Sequence, residues 1–333
     1  MKYKSVVLTQ RGGPEVLKVQ EKVLRAPQSK EFQIKVMACG VGRTDVAMRY
    51  GYYPFAPTPP FVPGYEIVGT VSAVGSAVSG FKIGDKVAAL SVYGGYAEYI
   101  FLEEEHLVRV PDSVRPDEAA AIILNYCTAY QMLHRVLDLK RGDTILITGA
   151  SGGVGSALVD LGKLAGLNMY GTASAAKHEM IANQGVVPID YKVKDWVKKL
   201  KKMEPQGLDY VIDGIGGAFI NKGFSLLKKG GKLVEYGYPS FTGMLSGLSK
   251  LKLYSLYPNG KKGVTYGISQ KYKKDKKSVI EDMKTLFDLL SAGKIQPLIT
   301  QRFSILEAAQ ANQQLESGMV SGKIVLVSHD HDW

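Results

Sequence analysis

The sequence predicts an α/β protein in which an antiparallel, barrel-like domain is followed by a parallel sheet covered by helices. The first third consists of short strand-like runs broken by glycine and proline, which is typical of antiparallel strands. From about residue 144 onward, apolar strand-like runs alternate with helical patterns, which indicates βαβ units. A length of 333 residues, with 45% hydrophobic and 22% charged content, suits two domains.

Strands of the first third are expected at 32–38, 67–74 and 86–90. The stretch 53–64 between the first two contains five prolines, which exclude a regular helix or a central strand. We expect it to form a stiffened loop that lines a cleft. A helical pattern follows at 118–137.

The strands of the parallel sheet are expected at 144–148, 168–172, 208–212 and 232–236. Glycine precedes each of these runs, as it often does where a helix turns into a strand. An edge strand is expected near 262–268 and a helix at 275–292. A final strand, helix and strand end at Val327.

The formal net charge is +11, and much of the excess lies in two lysine-rich segments, 198–202 and 271–277. We interpret both segments as solvated surface, because no basic motif interleaved with aromatic residues and no nucleic-acid module accompanies them. The alternatives are a polyanionic partner and a positive potential that attracts a phosphorylated cofactor. No nucleic-acid partner is expected.

Cysteines and hydropathy limit the class of protein further. Cys39 and Cys127 are too few for a disulfide framework, and no CxxC pair offers the spacing of zinc ligands. No run approaches the length of about 20 apolar residues that a membrane helix needs, and the N-terminus does not resemble a signal peptide. The sequence therefore predicts a cytoplasmic protein without membrane insertion.

Histidines do not indicate a further site. His329 and His331 lie in the terminal segment without partner ligands for a metal. His106, His134 and His178 have no accompanying serine or cysteine motif for a nucleophilic triad. We expect no bound metal ion.

A glycine-rich turn at 149–155 lies between a predicted strand and a helical pattern with an apolar face. Glycines let the backbone turn tightly and let a diphosphate approach the free N–H groups at the helix start. The motif alone is weak evidence, but this placement inside a βαβ unit favours a dinucleotide site over an ordinary tight turn. The residues assigned to the pyrophosphate are Ala150, Ser151, Gly152, Gly153, Val154 and Gly155.

The end of the second parallel strand distinguishes the two nicotinamide cofactors. An NAD site usually has Asp or Glu there to bind the ribose hydroxyls, whereas this chain has no carboxylate before Glu179. Ser174 and Lys177 supply a hydroxyl and a cation, which suit the 2′-phosphate of NADPH. Lys177 as a solvated lysine in a first helical turn is the alternative.

Several motifs together resemble the medium-chain dehydrogenase/reductase superfamily over nearly the whole chain. They are CGVGRTD at 39–45, PGYEIVG at 63–69, Gly75 with FKIGD at 81–85, GGYAE at 94–98, the turn at 149–155 and DGIGG at 213–217. The resemblance implies a Rossmann cofactor domain inserted in a GroES-like, mostly antiparallel β-barrel catalytic domain. The implied boundaries are 1–125 and 271–333 for the catalytic domain and 126–270 for the Rossmann domain.

The zinc dehydrogenases of this superfamily place metal ligands where this chain has Gly42, Tyr65 and Leu124. None of these three is a good zinc ligand, and Glu66 alone does not hold the ion. The sequence Gly-Tyr-Glu at 64–66, where the zinc dehydrogenases have Gly-His-Glu, resembles the zinc-independent quinone oxidoreductase branch. The stretch 171–179 with PIDY downstream is similar to the vesicle amine transport protein group.

The resemblance assigns further residues to the cofactor. It implies that Lys177 and Tyr191 contact the adenosine phosphate and that Thr128 and the Gly237 backbone lie near the nicotinamide. The additional residues assigned to the cofactor are Gly214 and Lys323. Quinone oxidoreductases usually have Asn where this chain has Gly42, which is a departure from the familiar contacts of the nicotinamide.

Without a zinc ion to polarise a carbonyl, the acceptor must already be electrophilic, as quinones and α,β-unsaturated carbonyls are. Tyr53 matches a family tyrosine that faces the cleft and is the first choice for the acid or substrate contact, with water as the other proton source. Tyr65 projects into the same pocket or fills the volume of the missing ligand. Asp45 is interpreted mainly as structural, with direct proton chemistry as the lesser alternative.

The leading hypothesis is therefore a zinc-independent NADPH:quinone or enone reductase. The main alternative is an NADPH-binding regulatory protein of the same fold with little turnover, since this fold is not always used for catalysis. A metal-free carbonyl or alcohol dehydrogenase is the third. A homodimer is expected, formed by an edge strand near 264–268 that pairs with its copy.

Overall fold

The computed structural model describes residues 1–54, 56–238 and 240–328. The chain divides into two compact units. The unit that we call the Rossmann unit is continuous and runs from Thr128 to Lys274. The other, called here the split unit, comprises Met1–Cys127 and the chain from Asp275 onward.

The strands are β1 (Lys2–Leu8), β2 (Leu17–Val23), β3 (Glu31–Val41), β4 (Ile67–Val74), β5 (Lys86–Ala89), β6 (Tyr99–Glu103), β7 (Leu107–Arg109), β8 (Thr144–Ile147), β9 (Asn168–Ala173), β10 (Val186–Asp190), β11 (Leu208–Asp213), β12 (Leu227–Glu235), β13 (Lys262–Thr265), β14 (Ile299–Ser304) and β15 (Lys323–Val327). The α-helices are α1 (Arg43–Tyr50), α2 (Pro116–Ile123), α3 (Asn125–Gln131), α4 (Gly153–Ala165), α5 (His178–Ala182), α6 (Trp196–Met203), α7 (Ala218–Leu226), α8 (Phe241–Ser255), α9 (Ile268–Lys274), α10 (Lys276–Ser291) and α11 (Ala308–Glu316).

The split unit is built around a mostly antiparallel sheet of seven strands in the order β14-β15-β3-β4-β5-β7, with β6 on β3. Strand β3 has 11 residues, so it pairs with β15 near one end and with β6 near the other. Among the described strands of this sheet, β14 and β15 are the one pair that is parallel. A separate antiparallel ladder joins β1 to β2.

Side chains on one face of this sheet form the core of the split unit. Phe32 and Ile34 of β3 are fully buried with Ile67 of β4 and Leu326 of β15. The ring of Phe32 meets Phe81 edge-on, with ring centroids 5.7 Å apart. Burial of these large apolar side chains stabilises the sheet by about 1.5–3 kcal/mol for each residue.

The Rossmann unit contains a parallel sheet of six strands in the order β10-β9-β8-β11-β12-β13. The chain builds one half outward from β8 and then returns to β11, which pairs with β8 on its other side. Ligands of such sheets bind outside the carboxyl ends of the strands, where this order reverses. The sheet therefore places the ends of β8 and β11 at the expected site.

The fold class predicted from the sequence is confirmed, and some elements differ from their expected bounds. The helical pattern at 118–137 forms α2, α3 and a π-helical turn, Met132–Val136. The predicted edge strand ends at Thr265, because Ile268 already begins α9. Within the described residues β13 is the edge of its sheet, so pairing with a second copy stays a prediction.

Helix α8 lies in a stretch, 241–263, for which no helix or strand is predicted from the sequence. Its apolar period is weak because two of its four leucines, Leu245 and Leu253, face solvent. No helix in the described part of the chain is both long enough and apolar enough to span a membrane.

Candidate functional site

The predicted phosphate loop connects β8 to α4 at the carboxyl edge of the parallel sheet. Gly149 adopts the left-handed conformation, with φ 66°, which glycine tolerates at no steric cost. Its N–H donates to Thr172 Oγ1 at 3.0 Å, and the N–H of Ala150 donates to the Thr172 carbonyl at 3.0 Å. The loop is thus tied to the neighbouring strand β9.

The start of α4 presents backbone N–H groups that no side chain caps. Gly152 caps the helix without a side-chain hydrogen bond, so the first N–H groups of this 13-residue helix keep their capacity for a ligand. A Cβ at Gly155 would overlap the carbonyl oxygen of Gly149 and come within 2.8 Å of Ala150 Cα. Only glycine therefore allows α4 to pack this closely on the loop.

A buried carboxylate links the ends of β8 and β11. Thr148 Oγ1 donates to Asp213 Oδ1 at 2.6 Å, and the N–H groups of Ile215 and Gly216 donate to the same oxygen at 3.0 and 3.2 Å. The N–H of Gly214 donates to Thr148 Oγ1 at 3.0 Å. Sequence reasoning missed this contact, although an Asp at a strand end before a glycine-rich turn is a usable signal.

The structure describes the surroundings of three further predicted cofactor residues, Gly214, Gly237 and Thr128. A Cβ at Gly237 would overlap the carbonyl oxygen of Gly214, so these two backbones approach closely. Thr128 is 5% exposed, and its buried hydroxyl oxygen has no hydrogen-bond partner within the described residues. A buried hydroxyl without a partner is costly and is often explained by a ligand.

Ser174 directly follows β9, Lys177 ends the 3₁₀ turn after it, and Tyr191 directly follows β10. The Lys177 N–H donates to the Ser174 carbonyl at 2.8 Å in a 3₁₀ turn. Lys177 is half-buried, and burial lowers the pKa of its ammonium. The Tyr191 ring lies edge-on to Phe219, with centroids 6.4 Å apart. Because β9 and β10 are neighbours in the sheet, the three predicted adenosine-side residues share one edge.

A second buried carboxyl group, Glu235, ends β12. Its side chain is 0% exposed, and neither carboxyl oxygen has a hydrogen-bond partner among the described residues. Burial, reinforced by the nearby charge of Asp213, raises the pKa of Glu235 to about 8, although Lys250 opposes the shift. Nothing in the local sequence indicated that this glutamate is buried.

In the split unit, the structure joins two of the predicted catalytic residues. The hydroxyl oxygens of Tyr53 and Tyr65 lie 2.7 Å apart, and either hydroxyl can be the donor. The rings pack edge to face at a centroid distance of 5.9 Å. Tyr65 is 0% exposed, whereas Tyr53 is half-buried. The proline-rich loop thus brings a more accessible phenol onto a buried one.

Asp45, the third predicted catalytic residue, accepts two backbone hydrogen bonds. Its carboxylate accepts from the N–H of Gly42 at 2.8 Å and from the N–H of Gly64 at 3.1 Å. Burial outweighs these hydrogen bonds and raises the pKa of Asp45 to about 6. The carboxylate therefore ties the start of α1 to the turn that precedes Tyr65.

The residues that the resemblance places at zinc-ligand positions have other contacts here. Gly42 caps α1, and the N–H of Leu124 donates to Glu66 Oε2 at 2.5 Å. Glu66 Oε1 accepts from the ammonium of Lys323, which is 3% exposed, so this predicted cofactor residue is ion-paired inside the split unit. Cys39 is buried in the core.

Within the ranges that the structure describes, no group of three or more His, Cys, Asp or Glu side chains is placed to hold a metal ion. His329 and His331, which the sequence analysis set aside, lie outside the described residues.

Comparisons with known proteins match both parts of the chain. Residues 28–112 match the alcohol dehydrogenase GroES-like domain, and residues 184–326 match the zinc-binding dehydrogenase family. The synaptic vesicle membrane protein VAT-1 homolog of Danio rerio is 35% identical, over 98% of this chain and 70% of its own. A quinone oxidoreductase of Pongo abelii is 31% identical, over 95% of each chain.

Solved structures give the same result. The crystal structure of the human synaptic vesicle membrane protein VAT-1 homolog-like protein superposes on this chain with a TM-score of 0.86 at 30% identity. The alignment covers 100% of both chains. The Escherichia coli quinone oxidoreductase, solved in complex with NADPH, has a TM-score of 0.88 at 27% identity, over 97% of this chain and 99% of its own. The chain belongs to the medium-chain dehydrogenase/reductase family of oxidoreductases, in the branch of the quinone oxidoreductases and the VAT-1 homologues.

Proposed function

We propose that the protein is a zinc-independent, NADPH-dependent reductase of quinones or α,β-unsaturated carbonyls. The observation that carries this proposal is the hydrogen-bonded pair of phenols, Tyr53 and Tyr65. The family resemblance places Tyr65 where the zinc enzymes have a metal ligand. A phenol pair offers a hydrogen bond and a proton to a reduced oxygen, but it does not replace a Lewis acid.

The carboxyl edge of the Rossmann sheet supports a nicotinamide cofactor. The N-terminus of α4 suits the pyrophosphate, and the Thr128 hydroxyl with the close backbones at Gly214 and Gly237 suits the nicotinamide end. The bound cofactor supplies the hydride. The roles of Ala150, Ser151, Gly152, Gly153, Val154 and Gly155 belong to this proposal.

NADPH rather than NADH is proposed because of the residues that follow β9. Ser174 and Lys177 offer a hydroxyl and an ammonium where an NAD site would place a carboxylate. A carboxylate does end the neighbouring strand β10. This residue, Asp190, already accepts a hydrogen bond from the N–H of Lys192 at 2.9 Å. NADPH in the complex of the E. coli relative agrees with this choice.

The residues at the zinc positions favour an acceptor that is already electrophilic. Gly42 and Leu124 have no ligating side chain, and the phenol of Tyr65 is a poor substitute for thiolate or imidazole. Hydride addition to a quinone or an enone gives a delocalised anion without help from a metal. A saturated aldehyde lacks this advantage, so we expect it to be a poor substrate.

The phenol pair divides the proton chemistry between two residues. Tyr53, the more accessible phenol, would donate its hydroxyl proton to the anionic oxygen of the reduced acceptor. The buried Tyr65 hydroxyl would hold the Tyr53 oxygen in place and donate to it once the proton has left. Asp45 would act as a positioning residue through the backbone N–H of Gly64.

Turnover with a panel of acceptors tests the proposal. NADPH absorbance is followed with 1,4-benzoquinone, 9,10-phenanthrenequinone, an alkenal and a saturated aldehyde, and then again with NADH. Oxidation of NADPH by the conjugated acceptors alone is the expected result. Equal turnover of the saturated aldehyde, or stoichiometric zinc in the active protein, would overturn it. Tight NADPH binding without turnover of any acceptor would support the binding-protein alternative instead.

A further inference from the structure

Val92 is the one residue other than glycine, within the described ranges, whose backbone lies in the left-handed region, with φ 68°. Valine is branched at Cβ, so this conformation is strained for it, whereas glycine or asparagine would adopt it at little cost. Such strain persists only where surrounding contacts enforce it, often at functional sites. The contacts around Val92 should therefore explain why the strain is kept.

The loop of residues 91–96, which contains Val92, binds the main chain of the segment 62–65, and that segment ends in Tyr65. Four consecutive carbonyl oxygens of the segment accept hydrogen bonds from backbone N–H groups of the loop. The pairs are Gly94 N–H to Val62 O at 2.8 Å, Tyr96 N–H to Pro63 O at 2.9 Å, Gly95 N–H to Gly64 O at 3.1 Å and Val92 N–H to Tyr65 O at 3.0 Å. The loop thus fixes the chain segment that carries the buried phenol, and we call it the 91–96 clamp.

Close packing leaves the clamp and the segment little freedom to separate. A Cβ at Gly64 would come within 2.5 Å of the backbone nitrogen of Tyr96, and a Cβ at Gly95 within 3.0 Å of the Gly64 carbonyl oxygen. Ser91 Oγ also donates to that carbonyl oxygen at 3.1 Å. At the end of the clamp, Asn312 Nδ2 donates to the Tyr96 hydroxyl at 3.4 Å, so α11 holds the clamp in its turn.

Valine at position 92 makes the clamp stiff as well as strained. Two other positions of the clamp, Gly94 and Gly95, are already glycine, and Gly94 is also left-handed, with φ 99°. A third glycine at position 92 would give the loop wide conformational freedom, whereas valine has far fewer accessible backbone conformations. The N–H of Val92 is therefore held firmly on the carbonyl of Tyr65.

The main chain of Tyr65 decides where its hydroxyl lies. Tyr65 is fully buried, and its hydroxyl oxygen is 2.7 Å from that of Tyr53. A displacement of about 1 Å would stretch this distance beyond the range of a good O–H···O hydrogen bond. The phenol pair therefore depends on a precisely held backbone at residue 65.

We propose that Val92 is a positioning residue for the phenol pair. Through the 91–96 clamp, its strained backbone holds the Tyr65 hydroxyl at hydrogen-bond distance from Tyr53. The inference rests on the proposed function, in which this pair delivers the proton. Asparagine at position 92 would relieve the strain and keep the left-handed conformation, whereas glycine would relieve the strain and lose the stiffness.

Tyrosine NMR tests the position of the pair without any turnover. The protein is labelled with ¹³C at the tyrosine ζ carbon, and the signals of Tyr53 and Tyr65 are assigned by their loss in Tyr53→Phe and Tyr65→Phe. In Val92→Gly the Tyr65 signal should shift or broaden, because its hydroxyl no longer has one fixed position. In Val92→Asn the signal should stay in place, and the thermal midpoint should rise by about 1–3 °C as the strain is relieved.

Single-turnover reduction of a quinone by bound NADPH tests the consequence for the chemistry. Val92→Gly should slow this step about threefold, as partial loss of one hydrogen bond would, and Val92→Asn should leave the rate unchanged. In a Tyr65→Phe background the hydroxyl is absent, so Val92→Gly should have no further effect there. NADPH affinity should be the same in all these variants.

Val78→Gly is the control for the substitution itself. Val78 is also a half-buried valine in a loop of the split unit, but its φ is not positive. This variant should change neither the Tyr65 signal nor the rate of reduction. Circular dichroism should show that all variants are folded.

An unchanged Tyr65 signal in Val92→Gly, or the same change of signal in Val78→Gly, would overturn the proposal. Equal slowing by Val92→Gly in the parent and Tyr65→Phe backgrounds would also refute it, because the clamp would then act by another route. If Val92→Asn slows reduction while the Tyr65 signal stays in place, the valine side chain contacts the acceptor instead. Failure of the proposed function gives a different result: the parent protein reduces no acceptor, while the NMR signals still decide whether Val92 positions the pair.

Discussion

Asp213 and Glu235 face each other in register at the ends of β11 and β12, but their environments differ. Asp213 accepts three hydrogen bonds on one oxygen, whereas no hydrogen-bond partner of Glu235 is found within the described residues. A buried carboxyl group without donors is more stable protonated, and a neighbouring carboxylate strengthens that preference. The sheet therefore holds two buried acids side by side: burial raises the pKa of both, and for Glu235, which lacks donors, it is raised to about 8.

Relative to the parent, Glu235→Gln should be more stabilising at pH 8 than at pH 4.5 by about 4 kcal/mol, since each pKa unit is worth about 1.4 kcal/mol. The pKa of Glu235 is about 8 in the folded chain and lower when unfolded, so the unfolded chain releases the proton first as pH rises. The unfolding free energy of the parent protein should fall between about pH 4.5 and pH 8 and then level off. Thermal unfolding between pH 4 and pH 9 measures this dependence. The exposed Glu281→Gln is the control, and equal pH profiles for parent and Glu235→Gln proteins would contradict the assignment.

Lys177→Ala should weaken NADPH binding by about tenfold or more, because a charge-assisted contact to the 2′-phosphate is worth about 1.5–3 kcal/mol. NADH, which has no such phosphate, should bind as before. Fluorescence titration of both cofactors measures the two constants. Lys163→Ala, an exposed lysine in the last turn of α4, should change neither constant. Parallel weakening of NADH and NADPH by Lys177→Ala would argue for a structural role.

Tyr53→Phe should lower kcat for a quinone by about 10- to 100-fold with a small effect on NADPH affinity, since it removes the accessible hydroxyl of the phenol pair. Tyr65→Phe should have a smaller effect, because Tyr53 keeps its own proton. Steady-state kinetics with saturating NADPH separates the two variants. Tyr93→Phe, at a tyrosine that is 49% exposed, is the control. Unchanged turnover in Tyr53→Phe would point to water as the proton source.

Gly155→Ala should both lower the thermal midpoint and abolish NADPH binding, because its Cβ overlaps the backbone at Gly149. Gly152→Ala is the matched comparison for stability. The Cβ there has its nearest neighbour at 3.4 Å, and the backbone at φ −79° suits alanine. A thermal shift assay with and without NADPH distinguishes the variants. If both glycine variants unfold at the same temperature, close packing of α4 on the loop is not what Gly155 provides.

Local patterns were sufficient for some parts of the site. Gly155 follows a strand and opens a helix, so its role depends on neighbours a few residues away. The lack of a carboxylate between the end of β9 and Lys177 can also be read from a few neighbouring residues. The tight packing at Gly155 could be predicted because a short segment sets the geometry of a phosphate loop, whereas the role of Lys177 stays a prediction.

Contacts between distant segments were beyond sequence reasoning. Tyr53 and Tyr65 were each predicted as candidates, but their hydrogen bond depends on how the proline-rich loop folds back. The pairing of Glu235 with Asp213 depends on the register of two strands separated by α7. Helix α8 was missed because its exposed leucines weaken the apolar period that identifies a surface helix.

The ion pair of Lys323 with Glu66 sets an order for the assembly of the chain during synthesis. The Rossmann unit is continuous, so it can fold once residue 274 has left the ribosome. The carboxylate of Glu66 gains its buried cation only when β15, the last strand, has been made. We therefore expect the first 127 residues to wait in an incomplete state while the inserted unit folds, and a nascent chain stalled before Lys323 to be the form most exposed to proteases and chaperones.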